Sequence, residues 1–312
     1  MKKLFLAIAL LASVASCTKD DVINESKEAI GFAGPFVENS TKATDPSYSG
    51  TAAFTTFNVW GTVNGTVDGR NNTVAIFAND AVSGTVGTAS VWTCEKKNYW
   101  IAGAKYNFAA LANAGTVTLG TDKLPATVEY TANQTDLVYA KSTEYTGKES
   151  GNELVKLTFN HLLSLVNFTV NNGSQSATGY SFNVKNIKIT GTTKGKYYIQ
   201  AADSKTAGTW EKLTGGDYDF DDELTVNNST YSDDCDEAML VIPGTVTVSF
   251  VVETCVNGTA IRSKSYSKGD ITLAAGNSYN FVVVPEVGEE IKFSVESKPT
   301  WTTNADENIT IQ

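Results

Sequence analysis

The chain carries few of the residues that enzymes use for catalysis. It has one histidine, His161, whereas histidine-based metal sites and catalytic triads need a second histidine or a nucleophile with defined partners. The sequence contains no glycine-rich phosphate loop and no serine elbow. We therefore expect no enzymatic activity, no cofactor and no metal, and we interpret His161 as a residue that makes a structural hydrogen bond.

The acidic stretch 217–223 is the strongest candidate for binding a cation. In a strand, Asp217, Asp219 and Asp221 would share one face, where they could bind Ca²⁺. The stretch lacks the glycine and the last acidic ligand of an EF-hand loop. We favour a solvated edge strand whose charges prevent unwanted pairing.

Cys17 has the position of a lipid-modified residue. Two lysines precede an apolar run from Leu4 to Val14, which is typical of a secretory signal. The run is too short to span a bilayer, since a spanning helix needs about 20 apolar residues. It ends in Val14-Ala15-Ser16-Cys17, which resembles the bacterial lipobox, where small residues permit cleavage and the cysteine sulfur accepts a diacylglycerol. The sequence therefore predicts a signal peptide at 1–16 and lipidation of Cys17.

Three cysteines follow Cys17, an odd number for an exported chain. Either one of Cys94, Cys235 and Cys255 is unpaired or all three are reduced. A Cys235–Cys255 disulfide is conceivable, but the spacing matches no known framework or metal site.

The negative net charge of the chain argues against nucleic acid as a partner. Removal of residues 1–16 takes two of the 24 basic residues and none of the 34 acidic ones, so the mature net charge is about −12. Nucleic acid is therefore not an expected partner. A length of 312 residues with 41% hydrophobic content is enough for roughly two domains with a core each.

Apolar and polar residues alternate along most of the chain, for example from Val246 to Val252. This period of two is typical of half-buried strands, and the stretches between are rich in Gly, Asn, Thr and Ser, as in turns. No long segment has a period of 3.6 residues. The sequence predicts an all-β protein built of β-sandwiches.

The alternation changes parity at His161. Apolar residues occupy odd positions from Val155 to Phe159 and even positions from Leu162 to Val170. A change of parity indicates a bulge or a break between two strands. We predict a domain boundary near residue 160, with a short helix at Leu162–Val166 as the alternative.

Several short sequence motifs follow one another along the chain. They are Ile30-Gly31-Phe32, Ser40-Thr41-Lys42-Ala43, Phe57-Asn58-Val59-Trp60-Gly61, Asn98-Tyr99-Trp100, Tyr106-Asn107-Phe108-Ala109-Ala110, Asp136-Leu137-Val138-Tyr139-Ala140, Leu157-Thr158-Phe159-Asn160-His161 and Leu163-Ser164-Leu165-Val166. Together they resemble the fimbrillin family, the subunits of the type V pili of Bacteroidetes. The segment 18–21 is similar to the tag that directs Bacteroidetes lipoproteins to the outer leaflet of the outer membrane.

The resemblance implies two tandem transthyretin-like β-sandwich domains, at 43–160 and 161–288, with a C-terminal strand extension at 289–312. It also implies export as a lipoprotein to the outer membrane surface, with a lipidated propeptide at 17–42. A trypsin-like extracellular protease would remove this propeptide together with the first strand, and a strand of the next subunit would fill the groove. The expected partners are a homopolymer or other pilus subunits, the outer-membrane lipid anchor, the protease, and a host or bacterial surface ligand.

The N-terminal end of the mature chain has the pattern that such removal requires. Three apolar residues alternate like a strand inserted into a sandwich: Ile30, Phe32 and Phe36. The polar stretch 39–46 follows, and we predict cleavage there between Lys42 and Ala43. Lys27 and Arg70 are the alternative sites.

The segment 289–312 has a matching pattern. Its alternating apolar residues are Ile291, Phe293 and Val295, followed by Trp301, Ile309 and Ile311. Burial of the first three would contribute about 5–9 kcal/mol before entropy. Pro299 interrupts the segment because it lacks an N–H. The donor strand is therefore 291–296, 308–312 or both, and the alternative is that Ile291–Val295 is the last strand of its own domain.

A rival hypothesis is a monomeric surface lipoprotein that binds glycans or host ligands. Aromatic faces stack on sugars, but they also fill sandwich cores. We expect Trp60 and Trp100 to lie in a core, which leaves Trp92, Trp210 and Trp301 as candidates for exposure.

Overall fold

The computed structural model describes residues 28–37, 54–67, 70–84, 92–199, 208–298 and 308–310. In these residues the chain forms strands and no helix, so the prediction of an all-β protein is confirmed, and no described helix could cross a membrane. The strands are β1 (Phe36–Val37), β2 (Thr56–Val67), β3 (Arg70–Ser83), β4 (Thr93–Cys94), β5 (Lys105–Ala112), β6 (Val117–Leu119), β7 (Pro125–Thr131), β8 (Val138–Lys141), β9 (Tyr145–Thr146), β10 (Thr158–His161), β11 (Ser164–Asn171), β12 (Tyr180–Tyr198), β13 (Thr209–Asp219), β14 (Leu224–Asn227), β15 (Ser232–Asp234), β16 (Met239–Val241), β17 (Gly244–Val256), β18 (Thr259–Leu273), β19 (Ser278–Val284), β20 (Lys292–Lys298) and β21 (Asn308–Thr310).

The described strands assemble into three sheets. Sheet I has the order β1-β10-β8-β5-β2-β3-β4, with β9 also paired with β5. Sheet II has the order β18-β17-β12-β7-β6, with β13 and β14 also paired with β12. Sheet III has the order β15-β11-β19-β20-β21, with β16 also paired with β11. Two pairs are parallel, β1 with β10 and β11 with β19, and both bring distant parts of the chain together.

Two hydrophobic cores form, one in each half of the chain. The first draws its buried side chains from Ile30 to Phe159, and the second from Val166 to Val295. A third cluster joins them, because residues such as Trp60 of the first half pack with residues such as Leu165 of the second. Burial of these alternating apolar faces is the main driving force for the fold.

The hairpin β6–β7 links the two halves through the backbone. It belongs to the first half by sequence, yet β7 pairs with β12 over the residues Lys194–Tyr198. The side-chain amide of Gln134 adds a second link, since it accepts from the N–H of Leu240 at 2.7 Å and donates to its carbonyl at 3.2 Å. The two halves thus share main-chain hydrogen bonds as well as apolar contacts. The boundary near residue 160 stays a prediction.

The parity change at His161 is a break between two strands. β10 ends at His161 and β11 begins at Ser164, so the alternative of a helix at Leu162–Val166 is wrong. The intervening Leu162 and Leu163 are both buried in the cluster between the halves, and the N–H of Leu162 donates to Leu137. Both leucines of the break therefore lie in the contact between the halves.

His161, the single histidine of the chain, makes a buried hydrogen bond, as expected. Its Nδ1 lies 2.7 Å from Oδ2 of Asp136, and both residues are less than one-tenth exposed. The pair ties β10 to the turn before β8. Asp136 could not be predicted as the partner from the sequence, since 25 residues separate the two positions.

The acidic stretch faces a lysine on the neighbouring strand. Asp217 and Asp219 of β13 lie opposite Thr190 and Lys188 of β12. The Thr190 hydroxyl and then the Lys188 ammonium hydrogen-bond to Asp217 and hold the pKa of its carboxyl below the ordinary value. Among the described residues, no group of three or more potential ligands is placed to hold a metal ion.

The three described cysteines, Cys94, Cys235 and Cys255, are free thiols, so the conceivable Cys235–Cys255 disulfide is wrong. Cys255 lies in β17 opposite Ala260, while the N–H of Cys235 donates to Phe168 of β11, on another sheet. Burial raises the pKa of the Cys235 thiol far above its ordinary value. It is therefore an inert core residue.

Candidate functional site: a groove filled by the N-terminal segment

Residues 28–37, here called the N-terminal segment, lie between two stretches of the first half. On one side the segment runs antiparallel to the stretch 92–100, with bridges at Ala29–Tyr99 and Phe32–Trp92. On the other side it runs parallel to the stretch 155–159, through Phe32–Val155 and through β1 beside β10. We call the channel between these two stretches the groove. The segment is thus an inserted strand rather than an edge strand.

Main-chain hydrogen bonds hold the segment on both sides. Toward the stretch 92–100 they are Ile30 N–H to Asn98 (2.8 Å), Trp100 N–H to Glu28 (3.0 Å) and Trp92 N–H to Phe32 (3.3 Å). Toward the other stretch they are Ala33 N–H to Val155 (2.9 Å) and Val155 N–H to Gly31 (2.8 Å). Because strand addition of this kind pairs backbone with backbone, another extended segment could make the same bonds.

Phe32 is the anchor of the segment. Its side chain is fully buried and meets three phenylalanine rings edge-on, with centroid distances of 6.2 Å to Phe57, 5.6 Å to Phe77 and 6.0 Å to Phe108. These rings come from the adjacent strands β2, β3 and β5 of sheet I. Gly61 of β2 makes room for them, since a Cβ there would lie 2.8 Å from Phe108 and 2.9 Å from Phe77.

The start of the segment is fixed by a charged side chain. The Glu28 carboxylate accepts hydrogen bonds from the backbone N–H and the side-chain amide of Asn152, both at 2.8 Å. The backbone bond, followed by the amide bond, lowers the pKa of Glu28. Ile30 is buried near this end, and β1, which contains Phe36, pairs with Thr158 and Phe159 at the other end.

Of the predicted lipidation and cleavage positions, the structure describes Arg70 alone. Cys17, Lys27, Lys42 and Ala43 lie outside the described residues. Arg70 is the first residue of β3 and pairs with Val67 at the end of β2.

The predicted donor residues pack within their own half of the chain. β20 pairs with β19 over seven residue pairs, from Ser278–Lys298 to Val284–Lys292. Val295 is buried, and the Phe293 ring lies 5.9 Å from those of both Phe250 and Phe281. In this conformation the segment is the last strand of its own sandwich, which was the stated alternative, and the donor role of Ile291, Phe293 and Val295 stays a prediction.

Beyond β20 the pairing is sparse. β21 contacts β20 through three residue pairs, Ser294–Thr310, Val295–Ile309 and Glu296–Asn308. Ile311 and Trp301 lie outside the described residues.

The four tryptophans that the structure describes do not form an exposed sugar-binding surface. Trp92, one of the candidates for exposure, is 1% exposed and stacks on Phe57. It is a wall of the groove. Trp60 and Trp100 are buried, as predicted. The indole N–H of Trp210 donates to the carbonyl of Leu162 at 3.0 Å, which fixes this ring at the contact between the halves.

The inserted strand was predictable from the sequence, but the walls of its groove were not. Val155 and Phe159 were visible as alternating apolar residues, and nothing in the sequence indicated that the N-terminal segment would pair with them. Each of the strands β2, β3 and β5 contains one phenylalanine. These three residues were the sequence feature that pointed to the pocket around Phe32.

Known proteins resemble this chain in sequence and in fold. A family model described as fimbrillin-like matches residues 41–299. No curated protein matches the chain. A solved fimbrial protein from Bacteroides vulgatus has the same fold, with a TM-score of 0.59 and 17% identity over 88% of this chain and 99% of that one.

Two other structures are more distant. A fimbrial assembly protein from Parabacteroides distasonis has a TM-score of 0.48 and 13% identity, covering 86% of this chain and 96% of that one. The fimbrial anchor protein Mfa2 from Porphyromonas gingivalis has a TM-score of 0.38 and 14% identity, covering 87% of this chain and 98% of that one.

Proposed function

Since the chain belongs to the fimbrillin-like family, we propose that it is a subunit of a cell-surface pilus that is exported as a lipoprotein, matured by proteolysis and polymerised by donor-strand exchange. The observation that carries this proposal is the N-terminal segment, which is hydrogen-bonded on both sides of the groove. Its removal would leave two rows of unpaired backbone groups and an apolar channel. Such a vacancy favours the entry of another strand.

Of the basic residues considered for cleavage, Lys42 suits this mechanism best. Cleavage after Lys27 would leave the N-terminal segment attached to the subunit. Cleavage after Arg70 would also detach β2, which pairs with both β3 and β5 in the middle of sheet I. Cleavage between Lys42 and Ala43 would detach the segment and keep β2 in the chain.

The groove sets requirements for the donor strand. Ile30 and Phe32 fill it with apolar side chains two residues apart, so the donor needs the same spacing. Both 291–296 and 308–312 have this spacing. Withdrawal of β20 would expose Val295 and break seven residue pairs, whereas withdrawal of β21 breaks three. This difference favours 308–312 as the donor.

The remaining steps follow from the lipobox. Lipidation of Cys17 would hold the precursor at the outer membrane surface until the trypsin-like protease separates residues 17–42 from the subunit. The released subunit would then join other pilus subunits, and the fibre would carry adhesion to host or bacterial surfaces.

The proposal is tested on cells that express the wild type, Lys42→Gln and the matched control Arg70→Gln. Under mild denaturation we expect a ladder of SDS-resistant bands from the wild type and the control, and N-terminal sequencing of the ladder should begin at Ala43. Lys42→Gln should give one band. A ladder from Lys42→Gln with an unprocessed N-terminus would refute maturation by cleavage at this site.

A second candidate function is a monomeric surface lipoprotein that binds glycans or host ligands. The pairing of β20 and β21 within their own chain favours it, because a tail that stays in place cannot serve a neighbour. A single band from wild-type cells in the same gel would support this candidate and contradict the first.

A further inference from the structure

A cavity of about 810 Å³ lies where the outer face of sheet I approaches the end of β12. Its floor consists of side chains from β8 and β10 that point away from the first core. In β10 the core-facing residue is Phe159, so Thr158 and Asn160 face the cavity. Tyr139 of β8 is the direct cross-strand neighbour of Asn160. The volume is within the usual range for small-ligand sites.

The walls of the cavity are aromatic and are held in place. The Tyr197 hydroxyl accepts a hydrogen bond from the N–H of Gly208 at 3.0 Å, and its ring lies 5.3 Å from Trp210. On the opposite side the Tyr145 hydroxyl accepts from the N–H of Lys156 at 2.8 Å. Rings fixed in this way can contact a ligand without losing further conformational freedom.

Two polar groups on the floor have unused hydrogen-bonding capacity. Asn160 is 9% exposed, and its side-chain amide makes no hydrogen bond to any described residue. The Tyr139 hydroxyl likewise has no hydrogen-bond partner among the residues the structure describes, and as a neutral phenol it can both donate and accept. Both side chains line the same cavity, and neither is among the described residues with a buried polar atom that lacks a partner, so both are open to a ligand there.

The polar, charged and aromatic groups that line the cavity indicate which class of ligand it would bind. The floor provides an amide and two hydroxyls, which both donate and accept. At the rim, Lys156 and Glu153 form an ion pair with an N–O distance of 3.6 Å. Lys141, Lys148 and Glu144 also line the cavity, so charges of both signs surround the floor. The two glutamates disfavour a phosphate, and the polar floor disfavours a lipid tail. A sugar has hydroxyls that both donate and accept, together with C–H faces that pack on aromatic rings.

From this geometry we infer that the cavity floored by Tyr139, Thr158 and Asn160 binds a carbohydrate. The cavity adjoins the groove, because Thr158 on its floor also pairs with Phe36 of the N-terminal segment. In the unprocessed chain that segment is in place, so the precursor presents this cavity and should bind the glycan.

The test uses the purified full-length chain, unprocessed, on an array of neutral and sialylated short oligosaccharides, followed by titration calorimetry with the best-retained one. We expect the wild type to retain at least one oligosaccharide. Asn160→Leu keeps a branched side chain of similar shape and removes its hydrogen-bonding groups, so it should weaken binding about tenfold or more. Tyr139→Phe should act in the same direction while preserving the packing of the ring.

The matched control is Tyr198→Phe, which removes a tyrosine hydroxyl that binds Glu211 on the outside of β12. It should bind as the wild type does. Thermal melting verifies that each variant is folded, and Tyr139→Phe serves if Asn160→Leu unfolds. Failure of the wild type to retain any oligosaccharide would overturn the inference. So would equal binding by the wild type and the two cavity variants.

Discussion

The substitution Phe32→Ala tests whether the N-terminal segment is the strand that is exchanged. The Phe32 side chain is fully buried and contacts the rings of Phe57, Phe77 and Phe108. If the segment is displaced during assembly, weakening its hold should speed assembly after cleavage. If the segment is a permanent strand, the same change should only destabilise the protein.

The size of the effect of Phe32→Ala on binding of the segment follows from the burial of the phenylalanine ring. Truncation of a buried phenylalanine to alanine costs about 3–5 kcal/mol, which includes the loss of its edge-to-face contacts. Each 1.4 kcal/mol is a factor of ten in an equilibrium constant, so the cleaved segment should be held on the order of a hundredfold or more less tightly. The main-chain hydrogen bonds of the segment remain, so the precursor should still fold.

The assay follows purified precursor after addition of a trypsin-like protease. Size-exclusion chromatography and mild-denaturation gels report the rate at which polymer appears, and mass spectrometry reports release of the cleaved segment. We expect both to be faster in Phe32→Ala. The matched control is Phe182→Ala, which removes an equally buried ring from the second core and should lower stability without speeding release. Equal polymerisation rates for Phe32→Ala and the wild type would refute displacement of this segment.

Three further predictions concern lipidation and burial. Cys17→Ala should abolish incorporation of radiolabelled fatty acid and keep the protein from the outer membrane surface, whereas fatty acid in the variant would place the lipid elsewhere. Cys235 should not react with a thiol reagent at about pH 8 until the protein is unfolded, because burial raises its pKa; rapid reaction would contradict its burial. Burial raises the pKa of Tyr218 to about 12, above about 10 in the unfolded chain. Stability should therefore be full below about pH 10 and fall by up to ~3 kcal/mol as the pH rises to about 12, and Tyr218→Phe should reduce this fall in urea titrations.

The strands were predictable because burial on one face imposes a period of two. Val246 to Val252 alternate in the sequence and lie in β17 with the even positions buried. The parity change at His161 located a break to within two residues. Local patterns determine these features, so one sequence is enough to find them.

Pairing between distant strands could not be predicted in the same way. The crossing of β7 to β12 depends on packing between the halves, and the pattern of β7 does not differ from that of a strand in sheet I. The burial of Trp92 could not be predicted for a related reason. No extended apolar alternation surrounds it in the sequence, and it is buried because Phe32 and Phe57 pack around it from other parts of the chain.

Truncation at two positions separates the role of β20 from that of the residues beyond it. Removal of everything after Val287 deletes Val295 and Phe293 from the second core, at about 1.5–3 kcal/mol each. This loss is comparable to a substantial part of the 5–15 kcal/mol that stabilises a typical domain. We therefore expect this truncation to lower the melting temperature sharply. Removal of everything after Lys298 leaves β20 paired with β19, so the melting temperature should not change, while the SDS-resistant ladder should disappear because the donor is gone. A normal ladder from the Lys298 truncation would assign the donor to 291–296, and an unchanged melting temperature in the Val287 truncation would show that β20 does not stabilise its own sandwich.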